Sequence, residues 1–179
     1  MAGYTIAIRI VMFVLLPAWG MANAAATLVG QNLGAEQPQR AERAAWLVGI
    51  GNMVLLGLVS VIFISVPAAF IGFFIDPSEE PLVMESGITC LRLLSFGFLV
   101  YAMGMVMIQA INGAGDTSTP VWINFVAFWL LEIPLAWLFT HVLDLQIHGV
   151  VYAILLAETT LALIAIFVFR RGKWKLMKV

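Results

Sequence analysis

The chain has 179 residues, 63% of them hydrophobic and only 11% charged, and its mean hydropathy is +1.03. A soluble domain carries roughly a quarter charged residues, so no soluble fold can hide this much apolar surface. A net charge of −1 offers no basic excess for nucleic acid, and the single cysteine, Cys90, lies in an apolar run where a buried thiol is the default, which excludes a disulfide-framed secreted scaffold.

A helix that crosses a bilayer needs about 20 mostly apolar residues. Five such stretches follow one another, at about residues 5–30, 40–73, 84–112, 120–140 and 148–169, with a basic tail over 170–179. The predicted fold class is all-α integral membrane: one membrane domain over residues 1–179 with five transmembrane helices and the lipid bilayer as its first partner. The first stretch, from Tyr4 to about Leu28, lacks a short basic leader and a small-residue cleavage site and reads as a span rather than a removable signal peptide. Gly34, Glu36, Gln37 and Pro38 end it, and Pro38 suits the first position of the next helix. The second break runs from Asp76 to Pro81 and the third from Gly113 to Pro120, where Thr117, Ser118 or Thr119 is placed to cap the helix that Pro120 opens. His141 to Gly149 makes the fourth break. Small residues four apart, Gly20/Ala24, Ala26/Gly30 and Ala45/Gly49, are expected to be close-packing faces.

Orientation follows from Lys and Arg in the short loops, which are retained on the cytoplasmic side. Arg170, Arg171, Lys173, Lys175 and Lys178 put the tail inside, and counting back through five crossings puts Arg40 and Arg43 and the Gly113–Pro120 loop on the same side. The outer loops then hold Asp76, Glu79, Glu80 and Asp144 without any Lys or Arg, and the amino terminus is outside. A chain that starts outside without a leader is awkward to insert, which leads to the expectation of further sequence upstream of Met1.

Ionisable groups inside a membrane cost a few kcal/mol each on insertion scales and are read first as pathway or ion sites. Glu132 and Glu158 stand within otherwise apolar spans, eight residues before Thr140 and ten after His148, or about 12 and 15 Å from the outer ends at 1.5 Å per residue. If they face each other at one shared level, two carboxylates in low dielectric cannot both ionise cheaply, which makes them candidates for loading and releasing a proton or sodium ion; the alternative is neutral carboxyls hydrogen-bonded between helices. Arg92 is the candidate counter-charge; its alternative is an interfacial position, with the guanidinium at the headgroups or paired with Glu85. Asn23, Thr27 and Gln31 recur every four residues on one helix face, as do Asn124, Phe128 and Glu132 on another; these polar stripes either line a solvated cavity or hydrogen-bond between helices. Pro17 and Pro134 interrupt backbone bonding within spans, a weak pointer to a broken transporter helix. His141, Asp144 and His148 form no convincing metal ligand set, and Gly113-Ala-Gly-Asp116 follows a membrane helix rather than a strand, so it fails as a phosphate loop. No nucleophile, acid–base or metal-hydrolase spacing points to an enzyme, and no cofactor is expected.

Leu28-Val-Gly-Gln-Asn-Leu-Gly-Ala35 with Pro38 and Arg40, Asn112-Gly-Ala-Gly-Asp-Thr117 with Pro120, and Glu132-Ile-Pro-Leu-Ala136 together resemble the signature segments of multidrug and toxic compound extrusion (MATE) transporters. The likeness runs from about Tyr4 to the Arg170–Trp174 tail. It implies twelve spans in two six-helix lobes, of which these five would be spans eight to twelve, a partial second lobe, in the inner (plasma) membrane of a bacterium. It also implies export of drugs and other cationic or amphiphilic small molecules in exchange for H+ or Na+, with the N-terminal lobe of the same transporter as the missing partner. First-lobe acidic residues that carry coupling in many relatives have no counterpart here, so the resemblance assigns no ion site to Glu132 or Glu158. The alternatives are a stand-alone short membrane protein that acts by helix association, or a relative of lipid or polysaccharide flippases.

Overall fold

The computed structural model describes residues 2–75 and 80–177. Asp76 and Glu79, expected in an outer loop, and Lys178 of the basic tail lie outside the described residues. Within them the chain is all helix: α1 (Ala2–Gly34), α2 (Pro38–Ser65), the short α3 (Pro67–Gly72), α4 (Pro81–Phe96), α5 (Phe98–Gly113), α6 (Ser118–Val142) and α7 (Gln146–Arg171). Helices α1, α2, α6 and α7 are each long and apolar enough to cross a membrane, and α4 and α5 make a fifth span if the pair, bent by 53°, is counted as one.

Two of the apolar stretches are broken where the sequence reading ran straight through. Residues 40–73 divide at Val66, whose φ of −130° and ψ of 50° are not helical; the ring of Pro67 disfavours the α region for the residue before it. Residues 84–112 bend at Gly97, which stays in the right-handed region but carries no side chain to fill the inside of the bend. Helix α6 is continuous yet over-wide: Phe125–Glu132 and Leu138–Val142 are π-helical, and the Ile133 N–H reaches back to the Phe128 carbonyl. The wide turns flank Pro134, which has no N–H to give and whose ring would crowd the carbonyl four residues back.

Packing is built on small residues, as expected where lipid tails remove the hydrophobic drive between helices. Helix α1 packs on α2, α4 and α5; α5 packs in turn on α2 and α7, and α6 joins the bundle chiefly through α7. At Gly113 an added Cβ would stand 2.2 to 2.6 Å from the backbone of Ala26, and at Gly104 it would stand 2.5 Å from the Ala162 Cβ. Ala26/Gly30 and Ala45/Gly49 do face helix neighbours: Gly30 lies against the Gly113 carbonyl, and Gly49 against Met103 and Met107. Gly20/Ala24 does not, since both residues are exposed and nothing approaches Gly20.

The basic end of the bundle is clasped. Gly172, at φ 72°, ends α7 in the left-handed conformation that glycine adopts without a Cβ penalty, and turns the chain into a 3-10 turn over Lys173–Leu176. Trp174 folds back, 2% exposed, stacks on Phe169 with centroids 4.6 Å apart, and donates its indole N–H to the Phe169 carbonyl at 2.7 Å. The same carbonyl, in the last turn of the helix, also accepts the Gly172 N–H at 3.1 Å. Lys175 pairs with Glu42 of α2 at 2.6 Å. In the third loop the cap comes from Asp116 rather than from a hydroxyl: its carboxylate accepts the Thr119 N–H at 3.0 Å and the Thr119 hydroxyl at 2.6 Å.

Candidate functional site

Away from the clasp, the interior opens into two adjoining cavities. The first, about 360 Å³, is almost wholly apolar; α1 lines it with Val11, Leu15 and Trp19, the α4–α5 bend with Gly97 and Phe98, and α7 with Leu155. The second, about 320 Å³, is more polar, lined by Asn23 of α1, Gln109 of α5 and Asn124 of α6 together with Met105 and Phe128. Trp19, Tyr101 and Glu158 line both cavities and form the wall between them.

Helical spacing creates this arrangement. Trp19 and Asn23 are four apart on α1, Tyr101, Met105 and Gln109 recur every four on α5, and Glu158 stands one turn after Ile154 on α7, so each helix turns one continuous face to the same space. The bend sets the depth at which α5 presents Tyr101, four residues beyond Gly97. A Cβ on Gly97 would lie 2.7 Å from Leu155, so glycine also permits α7 to approach the bend.

Glu158 is the chemical centre. Its Oε2 is fully buried and accepts no hydrogen bond from any described residue, although buried polar atoms are bonded in the large majority of cases and leaving one unmade costs about 1–3 kcal/mol. A carboxylate oxygen held in this way is open to a proton, a monovalent cation or a ligand ammonium group. Glu132 of α6 lies within electrostatic reach of it across the α6–α7 hairpin. Among the described residues no three His, Cys, Asp or Glu side chains gather as a multidentate metal site.

Of the residues singled out in the sequence, Asn23, Asn124 and Glu158 meet at the second cavity. Thr27 turns its hydroxyl back to the Asn23 carbonyl at 3.2 Å, and neither it nor Gln31, both exposed, lines either cavity. Glu132 is half-buried and outside both linings. Arg92 is exposed on α4, without an ion pair to Glu85. Trp19, Tyr101 and Gln109 are the lining residues with a hydrogen-bonding group that the sequence does not single out, and the signal for Tyr101 and Gln109 is their eight-residue spacing within an apolar run.

A bundle of apolar helices of span length with one bent pair defines a polytopic membrane protein. The family model MatE matches residues 1–138, and the chain belongs to that family. It is 27% identical over 182 residues to a probable multidrug resistance protein NorM of Pseudomonas putida, covering 100% of this chain and 38% of that relative. It is 30% identical over 141 residues to a probable NorM of Brucella suis, covering 75% of this chain and 29% of the relative. Among solved structures, an inward-facing multidrug resistance MATE family transporter of the MOP superfamily superposes with a TM-score of 0.82 at 18% identity, over 92% of this chain and 38% of the other. The MATE transporter ClbM in complex with Rb+ also gives 0.82, at 23% identity, over 98% of this chain and 41% of the other. The fold is that of part of a MATE transporter, and the chain spans well under half the length of the relatives it matches.

Proposed function

We propose that this chain works as second-lobe helices of a MATE-type antiporter that exports cationic or amphiphilic compounds in exchange for H+ or Na+, with Glu158 as the group on which ion and substrate compete. The observation that carries the reading is the unbonded, buried Oε2 of Glu158 where an apolar and a polar cavity meet. A carboxylate there alternates between two partners: the coupling ion, reached through the polar cavity with Asn23, Asn124 and Gln109, and a cationic group whose apolar body fits the first cavity. Glu132 acts at one remove, through its field at Glu158, while Arg92, Thr27 and Gln31 serve faces away from the cavities. A first lobe supplies the opposing wall. The names of the NorM relatives as multidrug resistance proteins and the cation in the ClbM complex support this reading. In orientation, the basic end of the bundle is cytoplasmic and the amino terminus outside, in the inner membrane of a bacterium.

The test is Glu158→Gln in a twelve-span transporter that carries this chain as spans eight to twelve, reconstituted in vesicles with a fluorescent aromatic cation. Gln keeps the volume and removes the charge. Efflux driven by an ion gradient should fall by about a hundredfold or more, the range over which a positioned proton-transfer group acts, while Glu132→Gln should lower it less. Unchanged efflux in Glu158→Gln removes Glu158 from the exchange.

A further inference from the structure

The basic end of the bundle holds a surface that the exchange reading leaves unused. Helices α2 and α7 converge there: Phe169 meets Trp46 edge-on with centroids 6.1 Å apart, and the Arg170 guanidinium lies 5.9 Å from the Trp46 ring centre. Arg43 stands three residues before Trp46 and so shares its face of α2. The Arg171 guanidinium sits 4.4 Å over the Phe167 ring, and Lys173 is exposed beside it in the turn that Trp174 anchors. Two carboxylates are near. Glu42 is already taken by Lys175, and Glu36, on the loop before α2, shares its depression with both Arg40 and Arg43, so the patch keeps a positive excess.

Towards the middle of the membrane each helix continues as an apolar rail. Helix α2 presents Leu47 and Ile50, 70% and 53% exposed, at the three- and four-residue steps that follow Arg43; α7 presents Phe167 and Leu163, 57% and 60% exposed, below Arg171. Guanidinium groups above and apolar rails below repeat the layout of an anionic phospholipid, phosphate above acyl chain. Planar guanidinium forks suit phosphate oxygens, and those already stacked on aromatic rings lose little freedom when they bind.

We propose that the α2–α7 junction is a binding site for an anionic phospholipid, with the phosphate held by Arg43 and Arg170 and the acyl chains laid along Leu47/Ile50 and Leu163/Phe167. A free phosphate or sugar phosphate would use the arginines and leave the rails bare; the rails decide for the lipid. The site depends on the membrane reading of the chain and not on the exchange at Glu158.

Native mass spectrometry of the 179-residue chain released from detergent micelles tests it, with palmitoyl-oleoyl phosphatidylglycerol and phosphatidylcholine added in parallel. Phosphatidylglycerol should be retained the more tightly, and Arg43→Gln with Arg170→Gln should weaken that retention by about 25-fold, about fivefold for each cation removed near a charged headgroup. Phosphatidylcholine, whose choline cation offsets the charge on its phosphate, should lose less than phosphatidylglycerol, and Arg9→Gln, at the far end of α1, should change neither lipid. Should the double variant lose its fold, Arg43→Gln alone carries the test, with a fivefold loss expected. Equal retention of the two lipids, an arginine variant that keeps its phosphatidylglycerol, or displacement of the lipid by millimolar glycerol 3-phosphate would each overturn the proposal.

Discussion

The basic end and the middle of this bundle solve opposite problems. At the basic end every element is tied down: Trp174 is stacked and bonded on Phe169, Lys175 is paired with Glu42, and Gly113 lets α5 touch the backbone of Ala26. Around Glu158 a carboxylate oxygen is left unbonded, a span is bent by 53° and two cavities stand open. Even the polar contacts near the bend serve to hold it. Ser60 of α2 donates to the Ser95 carbonyl at 2.7 Å just before Gly97, and buried Asn52 donates to the Ala102 carbonyl at 3.1 Å just after it. The contrast shows where folding free energy is concentrated and where it is given up for a reactive group; sites that bind and release usually sit at the low-stability end.

The sharpest way to break the comparison is to undo the clasp. Trp174→Ala removes a 2%-exposed ring, its stack and its bond to the Phe169 carbonyl. A loss of about 3–4 kcal/mol is expected from the range for buried aromatics cut to alanine, read as a drop in the unfolding midpoint in detergent micelles. A drop no larger than that of an exposed-residue change such as Leu176→Ala would show that the tail is not part of the fold's stability. The next effect has the opposite sign. Glu158→Met replaces an unbonded buried oxygen with an apolar group of similar length, and by removing that desolvation penalty should stabilise the chain by about 1–2 kcal/mol. If the midpoint falls instead, Glu158 is bonded in the membrane, and the middle of the bundle and its basic end are not organised as opposites.

Much of the fold was legible because the bilayer leaves few choices: a backbone in hydrocarbon must bond to itself, so apolar runs of span length become helices. The interruptions were less legible. Pro67 carries a signal, since it disfavours the α conformation at Val66, but Pro17 and Pro134 sit within continuous helices and an apolar run reads across all three; Gly97 carries almost none, because glycine occurs within straight membrane helices as well. The same asymmetry holds for the site. Glu158, Asn23 and Asn124 are conspicuous because polar groups are rare in such helices, whereas Trp19 and Tyr101 look like any other apolar-run aromatics until α1 and α5 are set side by side. Periodicity says which residues share a face but not which neighbour that face meets, so Asn23 reaches the cavity and Thr27, one turn on, turns back to its own helix. Gly20/Ala24 fails for the same reason: small residues allow a close approach, and a second helix must still be there to make it.

The smallest expected effect separates the two components of the clasp. Lys175 and Glu42 meet at 2.6 Å, but their side chains remain 30% and 32% exposed, so water and salt share the interaction. Lys175→Gln should therefore cost only about 0.5 kcal/mol, within the range for partly exposed ion pairs. That loss should shrink towards zero at about 1 M salt, where the screening length is about 3 Å, while the penalty of Trp174→Ala should persist because stacking and burial carry no net charge to screen. Measuring both variants at low and high salt thus reads the apolar and ionic parts of the clasp independently. A Lys175→Gln penalty that matched Trp174→Ala at both salt concentrations would mean that the ion pair, rather than the buried indole, holds the tail against α2.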